Sequence, residues 1–103
     1  MLPHKSFRFC SEAYQVVQSV ELEVSLRTGD HRVRIDVLQE ITSQKYTTKH
    51  YVFETMPVSP LGQEEKNYNY VQTWVQYDLP WTAGDTADEV LESALSFLQE
   101  RAT

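Results

Sequence analysis

The residues whose chemistry depends most on spacing are three histidines, one cysteine and a cluster of arginines. His4, His31 and His50 are too far apart to form the i, i+4 pair that presents two imidazoles to one zinc ion, and none stands beside a Cys pair. Cys10 is the single cysteine, so neither an internal disulfide nor a four-Cys zinc site can form. It reads as a small buried or half-buried apolar residue, because a thiol nucleophile needs a base and no neighbour supplies one. His50 with Asp36 or Asp78 is the acid–base pair that adjacent strands could assemble. The ordinary reading of His50 is a strand histidine with a half-buried ring. Arg27, Arg32 and Arg34, with His31 nearby, could grip a phosphate or carboxylate. Glu23 and Asp36 share their face, so an internally paired, solvated surface is the default. Gly29, Gly62 and Gly84 are isolated turn residues rather than a phosphate-cradling loop. No metal and no cofactor is expected from these spacings.

The elements that would position these residues are legible from periodicity. Val20, Leu22, Val24 and Leu26 alternate with Glu21, Glu23, Ser25 and Arg27, the period of two that marks a half-buried strand. Val33, Ile35 and Val37 then alternate with Arg32, Arg34 and Asp36. A Gly29-Asp30 loop between the two runs predicts a hairpin with Leu26 opposite Val33, Val24 opposite Ile35 and Leu22 opposite Val37. Its other face would set Arg27 beside Arg32, Ser25 beside Arg34 and Glu23 beside Asp36, with Glu23 offsetting Arg34 on the diagonal.

Thr42-Ser43-Gln44 reads as a turn, and Lys45–Glu54 as a third strand rich in Tyr, Thr, Val and Phe. Residues 55–68 read as one long loop, broken by Pro57, Pro60 and Gly62. Tyr68–Leu79 reads as a fourth strand, ended by Pro80. Residues 6–13 fit either a short strand, from Phe7 and Phe9, or a helical turn. The last element is a helix. Thr86 and Glu89 form a capping box, Asp85 and Asp88 suit the positive end of the dipole, and Arg101 suits the negative end. Ala87, Val90, Leu91, Ala94, Leu95, Phe97 and Leu98 give it an apolar stripe.

These elements predict a single α+β domain over residues 1–103: an antiparallel four-stranded meander, five-stranded if residues 6–13 join it, with one C-terminal helix on one face. The floor beneath the helix would be Leu22, Val24, Leu26, Val33, Ile35 and Val37, continued by Val71, Val75 and Tyr77. One helix covers one face only. The second face would carry Tyr70 and Trp74, with Gln72 and Gln76 between them and Tyr46 or His50 near. Tyr46, His50, Tyr70, Gln72 and Trp74 are therefore the candidate binding residues, since aromatic patches with polar neighbours mark interaction surfaces. The expected function is protein–protein contact, as a homodimer or as an accessory or regulatory protein, with no catalysis evident. The alternative is a small-molecule binder or modest enzyme with a pocket between the sheet and the 55–68 loop.

Charge narrows the partners. Nine Lys and Arg against fifteen Asp and Glu leave a formal charge of −6, which disfavours nucleic acid and anionic membrane surfaces. The segment from Thr82 to Thr103 carries most of that charge, through Asp85, Asp88, Glu89, Glu92 and Glu100. No apolar run is long enough to span a bilayer, and Met1–Ser6 lacks the apolar stretch of a signal peptide, so a cytoplasmic protein is expected.

The run Tyr77-Asp78-Leu79-Pro80-Trp81-Thr82-Ala83-Gly84-Asp85-Thr86-Ala87-Asp88-Glu89 resembles a segment of HicB-type antitoxins. There a strand ends in an Asp-Leu-Pro turn and a Gly-Asp-Thr cap opens a helix. The resemblance covers about a quarter of the chain, one strand–loop–helix unit. Its core, Gly-Asp-Thr-x-x-Glu, is itself a good capping box. HicB-like domains have fewer strands before this helix and usually a further strand or DNA-binding segment after it, whereas this sequence stops at Thr103. What the resemblance implies is a third functional expectation, an antitoxin-like regulator with a toxin as its partner.

Overall fold

The computed structural model describes residues 12–58 and 69–103. Strands β1 (Tyr14–Leu26), β2 (Gly29–Glu40), β3 (Tyr46–Val58) and β4 (Asn69–Gln76) form one antiparallel sheet in the order β1-β2-β3-β4, and helix α1 (Ala87–Arg101) follows. The fold is the α+β meander with a C-terminal helix that the periodicities predict. Of the segment 6–13, only residues 12 and 13 lie among the described residues, and they are irregular.

The first hairpin forms, but in a different register. Its turn is Arg27-Thr28, and Gly29 pairs with Leu26. Val33 therefore lies opposite Leu22 rather than Leu26, and Ile35 opposite Val20 rather than Val24. The slip covers an even number of residues, so every side chain keeps its face and the apolar pattern cannot distinguish the two registers. The polar face can. The expected register stacks Arg27 on Arg32 and Glu23 on Asp36, whereas the observed one sets Glu23 opposite Arg32 and Glu21 opposite Arg34. It also places Ser25 and Ser19 to donate to Asp30 and Asp36, at 2.6 and 2.7 Å. The turn residues keep negative φ, and Gly29 just beyond them has φ of 122°, a conformation open to glycine. Near the other end of β1, Val17 is an extra residue in a bulge between Val16 and Gln18.

Helix α1 begins where the capping box places it. The Glu89 N–H donates to the Thr86 hydroxyl at 3.2 Å, and the Asp85 N–H donates to the Glu89 carboxylate at 3.1 Å. Val90, Ala94 and Leu98 are its buried stripe. Ala94, Leu98 and Leu79 meet Leu26, Val33 and Ile35, with Leu22, Val24, Tyr77, Leu91, Leu95 and Phe97 packed around them. The helix packs on β1, β2 and β3 but not on β4. The expected extension of its floor to Val71 is therefore corrected: Val71 is exposed, as is Met56 opposite it on β3. The reason is length, since the chain returns from β4 over the start of β3, and no described element then lies over the far end of the β3–β4 ribbon.

That ribbon corrects a second boundary. The strand expected to end at Glu54 continues to Val58, with Pro57 opposite Tyr70. Beyond Val52, β3 pairs with β4 alone, so Pro57 stands on an edge where its missing N–H breaks no second ladder. The remainder of the expected 55–68 loop lies outside the described residues.

Candidate functional site

Strand registers decide which side chains share a surface. Reading across the sheet, Ile35 pairs with His50, Val37 with Thr48 and Val52 with Val75, all on the side that α1 covers. The opposite side carries Arg34 and Asp36 from β2, Lys49, Tyr51 and Phe53 from β3, and Tyr70, Gln72, Trp74 and Gln76 from β4. The candidate residues therefore separate. Tyr70, Gln72 and Trp74 lie together on the open face, while Tyr46 and His50 alternate to the helix-covered one.

His50 is buried on that covered face. Its Nε2 and the Thr48 hydroxyl hydrogen-bond at 2.7 Å, and the Thr48 hydroxyl is also 2.7 Å from the Thr82 hydroxyl. Burial pulls the His50 pKa below its ordinary value, which favours the neutral ring. Asp36 sits on the other side of the sheet and makes no pair with His50. His50 is thus a core histidine satisfied by a threonine. Among the described residues no group of three or more His, Cys, Asp or Glu side chains could hold a metal ion, and no helix is long and apolar enough to cross a membrane.

The arginines disperse as well. Arg27 is exposed in the turn, and Arg32 lies 3.9 Å from Glu23. Arg34 does something the periodicity alone does not reveal. Its guanidinium lies 4.5 Å from the centre of the Tyr51 ring and 4.8 Å from that of Trp74, reaching over β3 to touch β4. The Asp36 carboxylate is 3.2 Å from its Nε and steadies it as an ion pair. Phe53 extends the cluster, its ring centre 5.1 Å from that of Trp74 and the two planes tilted by 57°. The result is a cluster of rings gathered around a planar cation. Tyr70 stands at its edge and is 69 % exposed.

A second feature of the same face lies near the start of β3. The chain after β4 runs beside β3, where Tyr46 and Gly84 exchange backbone hydrogen bonds of 2.9 and 3.1 Å. Thr47 donates to the Thr82 carbonyl at 2.7 Å, and the Thr82 side chain is buried on the helix side. Alternation then turns Trp81 to the open side, where it is 77 % exposed. Gly84 sits close to the helix start: a Cβ would come within 2.9 Å of the mobile end of the Glu89 side chain and 3.2 Å of Val90.

Trp81, Tyr14, Glu12 and Thr47 line two adjoining grooves, of about 630 and 330 Å³. The larger is rimmed by Glu40, Lys45 and Asp85. Glu40 accepts from the Thr42 hydroxyl at 2.5 Å and from the Ser43 N–H, and these bonds push its pKa down to about 2. Lys45 pairs with Asp85. Sequence reasoning passed over Tyr14 and Trp81, because residues so far apart along the chain meet only through the register of three strands.

No protein-family model, curated protein or solved structure matches the chain. The likeness of residues 77–89 to HicB-type antitoxins thus rests on the turn and the capped helix from which it was read.

Proposed function

We propose that this chain works by protein–protein contact through its open sheet face, as a homodimer. The observation that carries the reading is the ring-and-guanidinium patch of Arg34, Tyr51, Phe53 and Trp74, with exposed Tyr70 beside it and no described element above it. Rings already fixed in place lose little side-chain freedom when a partner docks, which favours aromatic and Arg residues as interface anchors.

A second copy is the partner that the charges fit. Around the patch, Glu21, Glu23 and Asp36 are interspersed with Arg32, Arg34 and Lys49. A two-fold contact needs a surface that complements itself, and this mixed face meets that need. The acidic helix surface, with Asp88, Glu89, Glu92 and Glu100, would repel its own copy. Nucleic acid is not a partner on this reading, given the net charge of −6, and the cytoplasm is the setting proposed with it. The alternative pocket against the 55–68 loop falls largely outside the described residues, and Tyr46 and His50 do not share a sheet face with Trp74.

The test is the solution mass by light scattering over a dilution series. Wild type is expected at twice the 12.0 kDa chain mass. Trp74→Glu is expected at the monomer mass with an unchanged circular dichroism spectrum. A wild-type monomer at every concentration, or a Trp74→Glu dimer, overturns the reading.

A further inference from the structure

Tyr14 and Trp81 are 45 % and 77 % exposed, and both line the same cleft. The cleft has an apolar floor in Leu38, which is buried although it lies on the open face, and Thr47 pairs with Leu38 across β2 and β3. The charged groups along its two adjoining grooves are Glu12, Glu40, Asp78 and Asp85 against Lys45 and Lys49. Lys45 is taken up by Asp85. His50, also on the lining, favours its neutral form. Carboxylates therefore outnumber ammonium groups, and the excess is concentrated beside Tyr14, which pairs directly with Glu40 across the hairpin.

Glu40 is the best-placed of these carboxylates. Thr42 and Ser43 hold it by hydrogen bonds to both of its oxygens, and that fixes its orientation within the turn. An ordered carboxylate that lines the same groove as two exposed aromatic residues suits one kind of ligand group. A cation gains from the negative face of each ring and from the fixed carboxylate, whereas an anion meets both as repulsion. A bulky, weakly hydrated cation gains most, because it gives up little water on entering.

We infer that the cleft between Tyr14 and Trp81 binds an organic ammonium group, with the two rings as walls and Glu12 and Glu40 as counter-charges. The reading goes beyond the dimer proposal and stands on different residues. The ammonium group has two sources, a free small cation or a lysine side chain presented by another chain, and the cleft chemistry is common to both.

The experiment is isothermal titration calorimetry on the full chain with three probes. Choline represents the free cation, N-acetyl-lysinamide represents the side chain, and 3,3-dimethyl-1-butanol is the neutral carbon isostere of choline. Saturable binding of choline or of the lysine probe is expected, with the isostere at least about tenfold weaker, the ratio that one or two cation–ring contacts supply. Whichever cationic probe binds more tightly identifies the source. Trp81→Ala, Tyr14→Ala and Glu40→Gln are each expected to weaken the tighter probe by about fivefold or more. Each variant is first checked for the wild-type circular dichroism spectrum, and the first two alter exposed side chains, so loss of fold does not mimic loss of binding. Absence of saturable heat with both cations, equal binding of the isostere, or variants that bind like wild type overturns the inference. The mass of the same samples by light scattering reads the dimer proposal separately.

Discussion

Val33, Ile35 and Val37 have no exposed surface, whereas Arg34 and Asp36, their immediate chain neighbours, lie half-buried on the other side of the same strand. The covered side of the sheet is held by burial, which has no preferred direction and scales with apolar area. The open side is held by directed pairs: Arg34 between Tyr51 and Trp74, Asp36 against Arg34 and Ser19, and Glu23 near Arg32. Burial by α1 removes a surface from any further use. Directed pairing stiffens a surface and leaves it free to be touched. Within one sheet the two modes separate a stabilising face from one suited to binding.

The comparison breaks most visibly at its core. Ile35→Ala should lower stability by about 2–5 kcal/mol, since the cavity would open under α1 where nothing can collapse into it. Tyr70→Ala on the open face should shift the urea midpoint by less than about 0.5 kcal/mol equivalent. Equal losses for the two would mean that the open face carries as much of the folding energy as the covered one.

A smaller effect sharpens the description of the open side. Arg34→Met keeps the stem but removes the cation from between the rings, and should cost about 0.5–2 kcal/mol in the same urea titration. The Trp74 emission should move to longer wavelength as its ring is released. An unchanged midpoint would show that the stack orders the rings without stabilising the chain.

The smallest effect depends on pH and belongs to the covered side. His50 has its pKa lowered by burial, so the unfolded chain binds a proton more readily than the folded one. Its contribution is fully present above the ordinary value of 6.5 and is lost as pH falls through that value toward the lowered one. The urea midpoint of wild type should fall over that interval, and that of His50→Gln should fall less. Identical slopes would remove His50 as the cause.

Much of the fold was legible because it rests on local period and local caps. Alternation at Val20–Leu26 and Val33–Val37 reports a strand with one buried face whatever it pairs with, and Thr86 with Glu89 reports a helix start from four adjacent residues. Apolar alternation alone does not select the hairpin register, because it repeats every two residues and even slips are degenerate. The charges could have broken the tie: Glu21 and Glu23 match Arg34 and Arg32 only in the observed register. The expectation that Tyr46 and His50 stand near Trp74 failed for a related reason. Which face a residue takes follows from its position along its own strand, but which face of β3 adjoins which face of β4 follows only from the pairing of Tyr51 with Gln76.

By itself, then, the sequence determined the four strands, the capped helix, the apolar side of the sheet and the presence of aromatics on the other side. These depend on neighbours within a few residues, where chain geometry leaves few choices. Only the tertiary structure decided that Arg34 lies between Tyr51 and Trp74, that His50 is sealed against Thr48, and that Tyr14 and Trp81 share a cleft. Those meetings join distant parts of the chain, and they are selected by register, by the Val17 bulge and by the return of residues 77–86 along β3, none of which has a local period to announce it.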